Sequence, residues 1–327
     1  MKAINLKQFG SADNLYLDDI EVPVAGRGQV LIKVHAASVN RPDIVQREGN
    51  YPPPAGDSEI IGLEVAGTIE SIGEGVSRYK AGERVFALVG GGGYAEYAVA
   101  YEGHTMPIPE SLDFRQAACI CETYITAWLN AIVLGEAKAG DTFLLHGGGG
   151  GVNTAAIQLC KSLISDCKII VTASTGKLDR VKSQGADHVI DYKSQSFVEV
   201  VKEITEGKGV DVILDHIGGA YFNDNMKSLA LSGRLVVIGL MGGIKAEINL
   251  ATMMVKRQKI VGSVLRSRPV AEKAQIIADF EKTVLPLFAG KQIEPLISDV
   301  FPLSEAAQAH QAMEQGSHFG KIVLDVV

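Results

Sequence analysis

The sequence predicts an α/β protein in two parts, a β-rich region and a doubly wound parallel sheet. Three observations carry this. The first third holds short strand-like runs separated by Gly and Pro clusters such as "YPPPAGD" and "GGGG". From Asp141 to Leu240, continuous apolar strands alternate with helical stretches, the pattern of a parallel sheet covered on both faces. The 327 residues exceed what one ordinary core encloses, so two domains are expected.

Taken in order, "VLIKVHAASV" (Val30–Val39), "EVAGTIESIG" (Glu64–Gly73), "ERVFALV" (Glu83–Val89) and "YAEYAVA" (Tyr94–Ala100) read as strands. From Ser111 a run of helical length and spacing begins, "SLDFRQAACICETYITAWLNAIVL", with Ser111 as its expected N-cap. The alternation follows. "DTFLLH", "KIIVTA", "DHVIDY", "VDVILDHI" and "GRLVVIGL" are the strands. "VNTAAIQLCKSL", "GKLDRVKSQG", "SFVEVVKEITEG" and "AYFNDNMKSLAL" are the helices between them. After Gly262 a helix is expected near Ala271–Leu287, with a last strand "KIVLDVV".

Composition narrows the function. Hydrophobic residues make up 46% and charged ones 21%, with a net charge of −7, so a nucleic-acid surface or an anionic membrane is not expected as partner. The start lacks an apolar core of signal-peptide length and no run reaches spanning length, so a cytoplasmic protein is expected. Four cysteines, none in a C-x2-C pair, suggest neither a disulfide framework nor structural zinc.

Five glycines, Gly147 to Gly151, stand at the first strand-to-helix turn of the alternation. The pattern G-x-G-x-x-G places its first two glycines at Gly148 and Gly150. These would make the tight turn and admit a pyrophosphate to a helix N-terminus. The third position is Asn153, where glycine normally lets helix and strand pack closely. If position 153 only sets that packing, Asn153→Gly preserves or tightens cofactor binding. A glycine-rich linker is the alternative reading, disfavoured by the buried strand and amphipathic helix flanking the run. The second strand ends without the acid that binds a ribose 2′-hydroxyl in NAD sites. It ends on Ser174, Thr175 and Lys177 instead, with Tyr192 at the end of the third strand. Hydroxyls and an ammonium suit a 2′-phosphate, so NADPH is the expected cofactor.

"AASVNRPDIVQREGNYP", "GLEVAGTIESIGEGVSRYKAGERVFAL", "HGGGGGVNTAAIQL", "LDHIGG" and "GLMGG" together resemble the zinc-free quinone oxidoreductase family. That is the zeta-crystallin-like branch of the medium-chain dehydrogenase/reductase superfamily. "LMGG" followed by "LRSR" resembles its stress-inducible branch. The resemblance covers essentially the whole chain. It implies a GroES-like catalytic domain from residues 1–123 and 263–327, with a Rossmann NADPH-binding domain at 124–262 inserted between.

The resemblance implies contacts at Thr126 near the nicotinamide and at Gly150, Gly151 and Val152 at the pyrophosphate. Ser174, Lys177 and Tyr192 would hold the 2′-phosphate. Gly218, Leu240, Met241, Val264 and Leu265 would line the nicotinamide side, and Asn40 and Tyr51 the substrate pocket. Zinc enzymes of the superfamily carry Cys where this chain has Asn40, and Gly-His-Glu where it has Gly62-Leu63-Glu64, so no metal is expected. His35 and His104 have no partner at ligand spacing.

A quinone needs little activation to accept hydride, so positioning and exclusion of water dominate. Tyr51 is expected to donate to the developing oxyanion and Asn40 to offer an amide N–H. As alternatives, Tyr51 packs in its Pro-rich loop and Asn40 makes an Asx-type turn before Pro42. Two rival functions share these residues. One is an alkenal or enone reductase, which also needs a proton donor. The other is a non-catalytic NADPH-binding protein of structural or regulatory role. The family also implies a homodimer joined through the Rossmann sheet edge, with "KIVGSVL" (Lys259–Leu265) as that edge.

Overall fold

The computed structural model describes residues 1–326. They form two compact units, Met1–Ile125 with Leu265–Val327 and Thr126–Val264. The divide lies two residues beyond the expected one at each crossing. The reason at the first is Tyr124, whose hydroxyl donates to Glu294 O at 2.8 Å and whose ring meets Phe288 edge-on.

The chain begins with β1 (Lys2–Leu6) and β2 (Leu15–Asp19), a small antiparallel pair. β3 (Gln29–Val39) leads into helix α1 (Arg41–Arg47). β4 (Glu64–Ile72), β5 (Arg84–Leu88), β6 (Tyr97–Tyr101) and β7 (Thr105–Pro107) follow. The expected helix from Ser111 is broken into α2 (Phe114–Ala117), α3 (Cys121–Ala127) and a π-helical turn at Trp128–Leu134. Asp113, not Ser111, caps α2. Its carboxylate accepts Gln116 N–H at 2.8 Å while the Gln116 side chain accepts Asp113 N–H, a reciprocal capping box. Ser111 instead donates to Phe288 O.

The alternating region gives β8 (Thr142–His146), α4 (Gly151–Leu163), β9 (Lys168–Ala173), α5 (Leu178–Ser183), β10 (His188–Asp191) and α6 (Phe197–Ile204). It continues through β11 (Val210–Asp215), α7 (Phe222–Ser228), β12 (Leu229–Val237), α8 (Leu250–Lys256) and β13 (Lys259–Gly262). β12 starts four residues before the expected Gly233, because Leu229 pairs with Val210 across a register shift. The second unit is thus a six-stranded parallel sheet in the order β10-β9-β8-β11-β12-β13, a Rossmann-type doubly wound arrangement. Its core is Leu144, Ile170, Ile190, Ile213 and Leu235 with Phe197 and Met226 from the helices.

Helix α9 (Val270–Ala289), β14 (Ile297–Pro302), α10 (Ala306–Gln315) and β15 (Lys321–Asp325) return the chain to the first unit. Its sheet runs β14-β15-β3-β4-β5-β7, with β6 also on β3. This is the GroES-like unit, built from both ends of the chain. Every pairing in it is antiparallel except β14 with β15. No described helix is long and apolar enough to cross a membrane.

Candidate functional site

In the second unit, β8 ends at His146 and the glycine run turns the chain into α4. Gly147 has φ +78°, which glycine adopts without strain. Its N–H and that of Gly148 donate to Thr172 O at 3.0 and 2.9 Å. The glycines of the turn differ in what requires them. A Cβ on Gly148 would lie 2.4 Å from Val171 Cγ1, and one on Gly149 would lie 2.5 Å from Lys177 Cδ. A Cβ on Gly150 would meet only Gly147 O, at 3.6 Å. The chain's own packing therefore demands glycine at 148, asks only the flexible Lys177 stem to move at 149, and leaves Gly150 open. Gly150 is the N-cap of α4. The N–H groups of Gly151 and Val152, in the first turn, have no preceding turn to bond to.

Asn153 does more than set packing. Its side chain is buried and donates to His146 O and to Gly147 O, the latter at 3.0 Å. The amide thereby clips the strand end to the helix. Asn153→Gly is therefore expected to weaken the turn by about 1–3 kcal/mol, read in a urea melt. It is expected to loosen dinucleotide binding, the reverse of what spacing alone suggests.

A buried network continues beneath the turn. His146 Nδ1 lies 3.1 Å from Thr172 Oγ1 and Nε2 lies 2.7 Å from Asn225 Oδ1. Burial pushes the imidazole down to about 3, so it is neutral at physiological pH. Asn225 donates to Asp215 Oδ2, which also accepts Gly218 N–H at 3.1 Å. The loop bearing Gly218 and the glycine turn are thus held by one set of bonds. Leu240 and Met241 follow on an exposed loop, with Met241 N–H on His216 O. Val264 is exposed too, whereas Leu265 is buried and belongs to the first unit. Thr126 O accepts the Asn130 amide at 2.7 Å at the start of the π-helical turn.

At the end of β9, Ser174 opens a short 3₁₀ turn, Thr175–Lys177. The Lys177 stem crosses the face of Gly149. Tyr192 is 43% exposed. The Thr175 hydroxyl is not free for a ligand: it donates to Asp191 Oδ2 at 2.6 Å. Sequence reasoning sought an acid at the end of the second strand only. The sheet register sets Asp191, at the end of β10, directly beside Ala173.

In the first unit, Asn40 is buried with its amide fully committed. Nδ2 donates to Glu64 Oε1 at 2.9 Å, and Oδ1 accepts from Lys321 Nζ at 2.5 Å. It is thus a positioning residue and has no amide N–H directed to a substrate. The turn into α1 is made by Asn40 N–H on Asp43 Oδ2 at 2.7 Å and Asp43 N–H on Asn40 O at 3.0 Å. Lys321 also donates to Val39 O at 3.1 Å and Glu64 Oε1 at 3.0 Å. Glu64 further accepts Ser38 Oγ–H at 2.5 Å and Glu122 N–H at 2.8 Å.

Tyr51 is half-buried, and its hydroxyl has no partner among the described residues. Burial, with the Glu122 charge adding, pushes the phenol up to about 12, so it is a donor at neutral pH. Arg266 fixes its backbone. The guanidinium donates to Tyr51 O at 3.0 Å, to Gly90 O at 2.9 and 2.6 Å and to Gln46 Oε1 at 2.8 Å. It also lies 5.0 Å from the Tyr51 ring centroid, a cation–π contact. Burial pushes Glu122 up to about 8, with Glu64 and Asp43 adding, so it holds a proton at neutral pH. His35 stacks on Phe114 and His104 Nε2 donates to Val270 O at 3.0 Å, both packing roles.

Residues 26–110 match the family model described as an alcohol dehydrogenase GroES-like domain, and residues 184–324 match one described as a zinc-binding dehydrogenase. A quinone oxidoreductase of Rattus norvegicus is 36% identical, over 99% of this chain and 97% of that protein. The chain belongs to the quinone oxidoreductase family. The family is a branch of the medium-chain dehydrogenase/reductases and makes this chain an oxidoreductase of the nicotinamide-dependent kind. A mycobacterial structure solved with NADPH is 28% identical with a TM-score of 0.89, covering 100% of both chains. The JamJ enoyl reductase is 25% identical with a TM-score of 0.89, covering 99% of this chain and 98% of its own.

Zinc, which one of those descriptions names, does not fit the residues present. Asn40 and Leu63 offer no thiolate or imidazole. The Lys321 ammonium already lies 3.0 Å from Glu64 Oε1 and would repel a dication. Burial pushes the Cys119 and Cys121 thiols up, away from the thiolate form that binds metal. Among the described residues, no group of three or more His, Cys, Asp or Glu is placed to hold a metal.

Glu64, Lys321, Arg266, Glu122 and Asp191 went unassigned in the sequence. Arg266 lies inside "LRSR" and Glu122 is an acid within the apolar "CICETYITAW", which are the only signals either offered.

Proposed function

We propose that this chain reduces quinones or related electron-poor acceptors with NADPH and without zinc. The observation that carries the reading is the glycine turn, closed by the chain's own side chains at Gly148 and Gly149 and open at Gly150. An open glycine at a helix N-terminus fits a pyrophosphate. Gly151 and Val152 would hold it with backbone N–H groups. Ser174, Lys177 and Tyr192 would face the 2′-phosphate, and Thr126, Gly218, Leu240, Met241 and Val264 would follow the nicotinamide half. NADPH held by these residues would supply reducing equivalents as hydride or as single electrons. Tyr51 keeps its proton at neutral pH and donates a hydrogen bond to the acceptor oxygen as negative charge develops there. Arg266 holds Tyr51 in place.

Following NADPH consumption with orthoquinones, paraquinones and enones tests the reading. Turnover with quinones supports it. Turnover confined to enones transfers the activity to double-bond reduction. That second reading requires a proton for the α-carbon, which Tyr51, protonated at neutral pH, would have to supply. No turnover with any acceptor leaves a dinucleotide-binding protein without catalysis.

Lys177→Ala is expected to raise the dissociation constant for NADPH about tenfold and leave NADH within about twofold, by fluorescence titration. Equal losses for both remove Lys177 from 2′-phosphate recognition. The reading includes a homodimer. β13 is a sheet edge with Ile260 partly exposed, and such an edge is a template for pairing with a second copy. That strand ends at Gly262 rather than Leu265.

A further inference from the structure

The cofactor end of the second unit holds an acid that the proposed NADPH preference does not use. β10 and β9 run parallel, with Asp191 opposite Ala173. In open α/β sheets, ligands bind beyond the carboxyl ends of the strands. Ala173 ends β9 and Asp191 ends β10. The Asp191 carboxylate turns toward β9: Oδ2 accepts the Thr175 hydroxyl at 2.6 Å and Oδ1 accepts Lys193 N–H at 3.0 Å. Thr175 is the first residue of the turn that carries Lys177 across Gly149. A fixed negative charge thus stands one hydrogen bond from the turn that meets the 2′ position. The Thr175 hydroxyl, followed by the Lys193 N–H, holds that carboxyl below its ordinary range, so it is ionised at neutral pH.

We propose that Asp191 is a specificity-determining residue, whose charge limits the preference for NADPH over NADH that Lys177 confers. This deepens the NADPH reading and rests on it. A 2′-phosphate brings about two negative charges near a fixed third one, whereas a 2′-hydroxyl brings none. The carboxylate also ties down the turn through Thr175, so its charge and its bonds have separate consequences. They can be separated by substitution. Asp191→Asn has the same shape and can keep both bonds: its oxygen accepts Lys193 N–H and its amide donates to Thr175 Oγ. It removes only the charge. Thr175→Val removes the tie and keeps the charge.

Titrating NADPH and NADH by nucleotide fluorescence, at low and at moderate salt, reads the effect without turnover. D191N is expected to tighten NADPH about three- to tenfold and leave NADH within about twofold, with the gain shrinking at higher salt. T175V is expected not to tighten NADPH. Thermal melts verify that both variants fold. If T175V is misfolded, the salt dependence of D191N alone decides. Weaker NADPH binding in D191N, equal shifts for both dinucleotides, or the same tightening in T175V would each overturn the proposal. Failure of the unaltered chain to bind either dinucleotide would overturn the NADPH reading and this proposal with it. Binding of NADPH with no change in D191N overturns only this proposal.

Discussion

Replacing Gly150 by valine is expected to abolish dinucleotide binding while leaving the fold intact. The backbone at Gly150 has φ −84° and ψ 155°, ordinary extended geometry that valine adopts readily. The added Cβ meets nothing nearer than Gly147 O at 3.6 Å. The fold therefore loses only N-cap preference, about 1 kcal/mol. Two methyl groups would, however, occupy the space a pyrophosphate needs beside the helix N-terminus. Affinity for NADPH is expected to fall about a hundredfold or more, since both the close approach and the first-turn N–H bonds are lost. Gly148→Val is the control for packing. Its Cβ would start 2.4 Å from Val171 Cγ1, so that variant is expected to lose the fold itself. Fluorescence titration beside a melting curve separates the two. Normal binding by Gly150→Val would show that the glycine run is not the pyrophosphate site.

The parallel sheet was legible because its strands are buried on both faces and read as continuous apolar runs. "KIIVTA" forms β9 at its expected bounds. Local chemistry was harder to read where a side chain has alternative partners. Ser111 reads as the cap of the helical run, and only the fold shows that Phe288 O claims its hydroxyl and that Asp113 caps the helix instead. Asn153 looked like a misplaced glycine, because the two carbonyls it clips become neighbours only once the turn has formed. Asn40 looked like a donor to substrate. Its partners Glu64 and Lys321 lie 24 and 281 residues away, a separation that no motif spacing encodes. Asp191 escaped for a related reason. An acid at the end of the third strand becomes relevant to the second only through the sheet register. The motifs thus named candidate positions for a dinucleotide, and long-range hydrogen bonds decided which of the polar side chains there are already committed.

Lys321→Met is expected to destabilise the first unit by about 3–5 kcal/mol, the range for removing one partner of a buried ion pair. The two side chains are 4% and 1% exposed and lie 3.0 Å apart. Glu64 would keep the donors Ser38, Asn40 and the Glu122 N–H but would lose its counter-charge in a site closed to water. Asn40 Oδ1 and Val39 O would also lose their donor, which loosens the entry to α1. The loss belongs to charge as well as to bonding, and a second substitution separates the two. Glu64→Gln in the same chain removes the stranded carboxylate and keeps an acceptor, so the double variant is expected to regain about half of the lost stability. Every hydrogen-bond partner of Lys321 among the described residues lies in the first unit. NADPH titration of Lys321→Met is accordingly expected to match the unaltered chain wherever the protein remains folded. Urea melts of the single and double variants test the pair. An unchanged midpoint in Lys321→Met would mean that water or rearranged side chains replace the ammonium at little cost. Equal destabilisation of both variants would mean that the lost hydrogen bonds, rather than the unpaired charge, set the effect.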